Sequence, residues 1–140
     1  MERPLLVALV DDDRVYQFTT ERMLMRLDDE VQFQWFKDGE EALSFLNAHA
    51  LESESLPDVL ILDINMPIMD GWQFLDAYRS RKDVLAKHID IYMISSSADE
   101  RDQLRARSYS DVTDYLEKPI TSDLLRSLLD RYVGRYDSLH

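Results

Sequence analysis

Cysteine is absent from this 140-residue chain. Neither a disulfide framework nor cysteine-ligated zinc is therefore open to it. Glycine is scarce: Gly39, Gly71 and Gly134 are the whole complement, too dispersed to form a glycine-rich phosphate loop. No apolar run approaches the roughly 18 residues that a membrane span needs. Met1-Glu2-Arg3-Pro4 leads straight into a strand-like segment and carries no signal-peptide pattern. His49, His88 and His140 are scattered and read as surface residues, so no histidine metal site or triad is expected. Basic residues are outnumbered 16 to 28 by acidic ones, which leaves a formal net charge of −12. Such a surface repels nucleic-acid phosphate and anionic lipid, and suits cations and basic protein faces. The expectation is a soluble, cytoplasmic, single domain over residues 1–140, with its core at about 5–136, no output module, and no direct nucleic-acid or membrane partner.

The richest features are short apolar runs that end in polar groups. Leu5–Val10 ends at Asp11-Asp12-Asp13, Val59–Leu62 at Asp63, Ile89–Ile94 at Ser95-Ser96-Ser97, and Val112–Leu116 at Glu117-Lys118-Pro119. Runs this short, rich in branched side chains, read as strands buried on both faces. Val31–Phe36 alternates apolar and polar residues, as a half-buried edge strand does. Between the strands lie helical periodicities. One covers Val15–Leu27, with Tyr16, Thr20, Met23, Leu24 and Leu27 inward. A second covers Glu40–Ala50, with Ala42, Leu43 and Leu46 inward, and a third opens at Asp70-Gly71, with Phe74, Leu75 and Tyr78 on one face. Asp99–Arg107 is charged on most sides, and only Leu104 and Ala106 are apolar. The last helix, capped by Thr121 or Ser122, carries Leu124, Leu125, Leu128, Leu129, Tyr132, Val133 and Tyr136. Five strands alternating with five helices make a doubly wound α/β sandwich around a parallel sheet.

In such a sheet, chemistry gathers beyond the carboxyl ends of the strands. If strands one, three, four and five are neighbours, Asp11–Asp13, Asp63, Ser95 and Lys118 converge there. Taken singly, each has a plainer reading: a helix-start acid, a turn residue, a solvated lysine. Together they concentrate like charge. Two carboxylates about 4 Å apart cost about 4 kcal/mol at an effective dielectric of 20. A hard divalent ion relieves that repulsion, and Mg²⁺ on one or two carboxylates keeps room for phosphate oxygens. Carboxylate, cation, ammonium and hydroxyl together form a set suited to phosphoryl transfer, with one nucleophile and three groups that stabilise the oxygens in flight.

At this point the chain resembles the response-regulator receiver domain of two-component signalling. The resemblance runs from about Leu5 to Val133. It is carried by Val10-Asp11-Asp12-Asp13, by Leu62-Asp63-Ile64-Asn65-Met66-Pro67-Ile68-Met69-Asp70-Gly71, by Ile94-Ser95-Ser96, and by Asp114-Tyr115-Leu116-Glu117-Lys118-Pro119, in family order and spacing. It implies a flavodoxin-like three-layer sandwich with sheet order 2-1-3-4-5. It implies that Asp63 accepts a phosphoryl group from a histidine of a sensor kinase or a phosphotransfer protein. Asp11 and Asp12 match the acidic pair that holds Mg²⁺, and the Asn65 backbone carbonyl matches the remaining protein ligand. Ser95 and Lys118 match the hydroxyl and ammonium of the site, and the Lys118–Pro119 bond is cis in the family. Tyr115 matches the aromatic of a switch in which Ser95 moves toward the phosphate and the fourth helix, fifth strand and fifth helix read out the change to an unknown downstream partner. Asn65 and Ser97 match positions that tune loss of the phosphoryl group. The implied protein is not an enzyme beyond its own phosphoryl transfer and autodephosphorylation. Ser108-Tyr109-Ser110 departs from the small residues usual before strand five, which bears on the shape of the readout face.

Two other classes are weaker. Asp11-Asp12-Asp13-Arg14-Val15 formally satisfies the signature of a haloacid-dehalogenase-type phosphatase, but the acidic pair needed downstream of a strand is missing, since Asp123 and Asp130 sit inside a helix pattern. A flavodoxin-like flavin binder needs a hydroxyl-rich loop after strand one, where three aspartates would repel a phosphate. Trp35 and Trp72 read as packing or half-exposed groups, and Trp72 as a fluorescent reporter beside the Asp70-Gly71 turn.

Overall fold

The computed structural model describes residues 4–28, 30–96 and 99–137, with side chains to Tyr132. Ser97 and His140, and the side chains of Val133 and Tyr136, lie outside what is described. The elements follow in the order β1 (Leu6–Val10), α1 (Arg14–Leu27), β2 (Gln32–Phe36), α2 (Gly39–Ala48), β3 (Val59–Asp63), α3 (Gly71–Arg81), β4 (Asp90–Ser95), α4 (Glu100–Arg107), β5 (Val112–Glu117) and α5 (Ser122–Asp137). A 3-10 turn at Lys82–Val84, which no periodicity announces, follows α3. The strands form one parallel sheet in the order β2-β1-β3-β4-β5.

The period of two along each strand divides the interior into two cores. Ala8, Val10, Leu60, Leu62, Ile91 and Met93 face α2, α3 and α4, where they pack with Leu46, Phe74, Leu75 and Tyr78. Val7, Leu9, Val59, Ile61, Tyr92 and Ile94 face α1 and α5, where they pack with Leu24, Leu125, Leu128 and Tyr132. The central strands β1 and β3 are buried along their whole length, which is why their sequences are unbroken apolar runs. The edge strands β2 and β5 are only partly buried. Helix α4 contributes one buried residue, Ala106, while Leu104 points into solvent. Of the two α5 cap candidates, Thr121 is the one used: its Oγ1 accepts the Leu124 N–H at 3.2 Å.

The amino edge of the sheet is held by a buried ion pair. Lys87 Nζ lies 3.0 Å from Asp58 Oδ1, and each side chain is under a tenth exposed. Lys87 Nζ also donates to the Leu56 carbonyl at 2.7 Å, and Asp58 Oδ2 accepts the Leu6 N–H at 2.9 Å. This network fixes the start of β1 against the start of β3. Lys87→Met, which leaves Asp58 buried without its cation, is expected to cost about 3 kcal/mol in urea unfolding. Tyr78, on the buried face of α3, has its hydroxyl pushed from 10.0 up to about 12, first by burial and then by the Asp111 carboxylate. Because the folded state holds that proton more tightly than the unfolded chain does, the contribution is complete below pH 10. It falls as pH rises toward 12, at up to about 1.4 kcal/mol per unit. Tyr78→Phe should therefore lose less stability than wild type between pH 10 and 12, read by denaturant midpoints at each pH.

Candidate functional site

The carboxyl ends of four strands meet at one edge of the sheet. Strand pairing sets Val10 beside Leu62, Asp63 beside Ile94, and Ser95 beside Glu117. The residues that follow each run, Asp11, Asp63, Ser95 and Lys118, are thereby brought together as the sequence leads one to expect. Asp11 and Ser95 are fully buried and Asp63 is 4 % exposed, whereas Asp12 faces solvent. Carboxylate oxygens of Asp11, Asp12 and Asp63 all lie within 4.8 Å of one another. Lys118 Nζ reaches over this group, 2.7 Å from Asp11 Oδ2 and 3.6 Å from Asp63 Oδ2. The Lys118–Pro119 bond is cis.

Local chemistry fixes each group. The Asp11 N–H donates to the Phe36 carbonyl at 3.0 Å, and its own carbonyl accepts Trp35 Nε1 at 2.7 Å. Trp35 is thus an anchor for the acidic corner, a role that its alternation on an edge strand did not reveal. Asp13 does not join the cluster. Its Oδ1 accepts the N–H groups of Val15 and Tyr16 at 2.9 and 3.1 Å, which caps α1. A haloacid-dehalogenase reading would need that carboxylate facing the cleft. After Asp63 the chain turns at Asn65, whose N–H lies 3.4 Å from Asp63 Oδ1, and Asn65 itself is exposed. Ile68, three quarters exposed, holds a φ of 69°, a left-handed backbone that a branched residue seldom adopts and that strained functional loops do keep. The turn is closed by the Gly71 N–H donating to the Ile64 carbonyl at 2.8 Å, and by a reciprocal cap between Asp70 and Gln73.

The electrostatics follow from crowding. Burial first, then the Asp11 charge, push the Asp63 carboxyl from 3.8 up to about 6, against the pull of Lys118. Burial works to lower the Lys118 ammonium, but Asp11 and Asp63 outweigh it and raise the group overall. Tyr16, on α1, places its ring 4.4 Å from Lys118 Nζ. Its hydroxyl is raised from 10.0 to about 12, chiefly by burial, so it stays protonated. Three carboxylates offering hard oxygens, with one acid open to solvent and one ammonium as the counter-charge, form a donor set that a hard divalent cation fits. On the far side of β4, Ser95 and Tyr115 are joined by a side-chain hydrogen bond, and a groove of about 400 Å³ between α4 and β5 is lined by Ala106, Arg107, Val112, Tyr115 and Glu117. Trp72 is buried rather than half-exposed, with Arg105 of α4 stacked 4.4 Å from its ring.

The fold and this edge define a class: a doubly wound α/β protein with an acidic, lysine-bridged pocket at the carboxyl ends of its strands. Residues 7–130 match the response regulator receiver domain family. The chain belongs to that family. It is 30% identical to the "Probable methanogenesis regulatory protein FilR2" of Methanothrix harundinacea, over 91% of this chain and 81% of that protein. It is 30% identical to the "DNA-binding transcriptional regulator NtrC" of Salmonella typhimurium over 94% of this chain, but spans only 25% of that protein. Among solved structures, a two component response regulator from Cytophaga hutchinsonii superposes with a TM-score of 0.81 at 28% identity, covering 94% of this chain and 99% of that one.

Gly71 gives the site a packing test. A Cβ there would lie 2.9 Å from both the Asp63 carbonyl and Ile64 Cα, backbone atoms that yield only by moving the end of β3. Gly71→Ala is expected to lower the thermal midpoint by several degrees. It should also broaden the amide resonances of Asp63 to Asn65, seen in a ¹H–¹⁵N spectrum.

Proposed function

We propose that this protein is the phosphoacceptor of a two-component or phosphorelay system, with Asp63 taking the phosphoryl group from a phosphohistidine of a sensor kinase or a histidine phosphotransfer protein. The observation that carries this reading is a nearly buried Asp63 set within 4.8 Å of Asp11 and Asp12 and bridged by Lys118. An Asp63 oxygen attacks phosphorus, the new O–P bond forms as the P–N bond breaks, and the imidazole nitrogen keeps the electron pair and takes up a proton. Lys118 neutralises charge on a phosphoryl oxygen, and the buried Ser95 hydroxyl supplies a donor at the adjoining strand end. Asp11, Asp12, Asp63 and the Asn65 carbonyl would hold Mg²⁺, which supplies charge neutralisation for the transferring oxygens. Asn65 and Ser97 tune loss of the phosphoryl group, Ser97 lying outside the described residues. The protein turns over no other substrate.

The readout runs from Ser95 to Tyr115 and on to the face formed by α4, β5 and α5. The hydrogen bond between these two side chains supports that route, as does a helix α4 whose one buried residue is Ala106. Thin attachment suits an element with two arrangements of similar energy. The downstream partner is a protein rather than a nucleic acid, given the net charge of −12. Among the described residues no helix is long and apolar enough to cross a membrane, which accords with a cytoplasmic partner network.

With acetyl phosphate and Mg²⁺, the protein should gain one acid-stable, base-labile phosphoryl group, read by intact mass. Asp63→Asn should take up none, and chelation of Mg²⁺ should reduce labelling of wild type at least tenfold. A variant lacking Asp63 that labels as well as wild type would overturn the assignment.

A further inference from the structure

The ammonium of Lys118 has two kinds of neighbour. Asp11 and Asp63 are charged, at 2.7 and 3.6 Å, and the Tyr16 ring is not, with its centroid at 4.4 Å. The carboxylates are unreliable restraints, because both are the groups that a divalent cation and a phosphoryl oxygen would engage. When Asp11 turns to another cation, the ion contact that fixes Lys118 is weakened, and a flexible four-carbon stem is free to swing outward. The face of an aromatic ring attracts an ammonium within about 6 Å of its centroid and competes for no metal. Tyr16 is well placed to give that attraction a fixed direction. It lies in the first turn of α1, where Asp13 caps its backbone N–H, and its ring packs on the core shared by α1 and α5. Its hydroxyl lies against the Ile120 backbone and Thr20 without a well-formed hydrogen bond, so the ring rather than the oxygen makes the contact that matters.

We propose that Tyr16 is a positioning residue for Lys118: its ring face holds the ammonium over the acidic pocket while Asp11 and Asp63 are engaged elsewhere. The inference rests on the assignment of Asp63 as phosphoacceptor. It assigns to an α1 side chain, outside the strand-end set, a part in the transfer step.

The test uses the full chain with Tyr16→Phe, which keeps the ring, and Tyr16→Leu and Tyr16→Met, which remove it. Initial labelling rates from acetyl phosphate at saturating Mg²⁺ should fall about fivefold in Leu and Met, and Phe should restore the wild-type rate to within about twofold. In wild type and Phe saturated with Mg²⁺, the Lys118 ε-methylene protons should stay upfield through the ring current, which places the ammonium over the ring while the acids hold the metal. A general loss of stability in Leu and Met would not bear on that shift. A Tyr16→Leu and Tyr16→Met pair that labels like wild type overturns the inference alone. So does a Phe variant as slow as Leu, or a wild-type Lys118 without the upfield shift. A wild type that takes up no phosphoryl group overturns the acceptor reading itself, and this inference with it.

Discussion

Like charge held together at one end of a parallel sheet is the constraint on which the rest of this molecule turns. Asp11, Asp12 and Asp63 bring three carboxylates within 4.8 Å of one another, and Lys118 is the counter-charge in contact with Asp11 and Asp63. Burial first, and then the Asp11 charge, push the Asp63 carboxyl up to about 6. Two strands buried end to end can bear that cost because their cores on both faces hold the strand ends in place. The stabilisation comes from apolar burial elsewhere, and the strain is stored where chemistry can use it.

The opposite edge of the same sheet uses the same residue types to a different end. There Asp58 meets Lys87 one to one, and each makes a further bond to backbone, Asp58 with Leu6 and Lys87 with Leu56. That network serves registry. The carboxyl edge has acids to spare and one of them in solvent, so it is open to a cation. A buried charge pair that is matched and also bonded to backbone fixes a fold; one left short of positive charge invites a ligand.

The face toward α4 is tied differently again. Little of α4 is buried, but Arg105 stacks on Trp72 of α3, and Tyr109 in the following loop donates to Asp76 at 2.9 Å while Arg79 sits 4.9 Å over its ring. The departure at Ser108-Tyr109-Ser110 is thus a tether between the loop before β5 and α3. These are aromatic and cationic contacts at the surface rather than core burial, and they hold position at a modest cost to break.

Much of this was legible beforehand because two periods and a few strand ends carry it. Runs such as Val59–Leu62 can be buried on both faces only in the interior of a sheet, and the alternation of Val31–Phe36 fits only an edge. Capping was readable in type but not in assignment: the triplet Asp11-Asp12-Asp13 looks uniform in sequence, yet Asp11 is buried, Asp12 is exposed, and Asp13 is spent on α1. In the sequence, Trp35 reads as a packing or half-exposed group, Tyr16 as a helix face and Gly71 as a turn. Their work depends on what lies across the fold: the Asp11 carbonyl, the Lys118 ammonium and the backbone after Asp63.

The sequence by itself determined the element order, the two-sided burial of the central strands and the identity of the groups at the strand ends, because hydrophobic period and residue chemistry are local properties. Only the tertiary structure decided which of three adjacent aspartates stay in the pocket, which aromatic ring meets the lysine, and which loop is pinned to which helix. Those outcomes depend on distances between residues far apart in the chain, and such distances exist only once the sheet has set its register and the helices have packed against it.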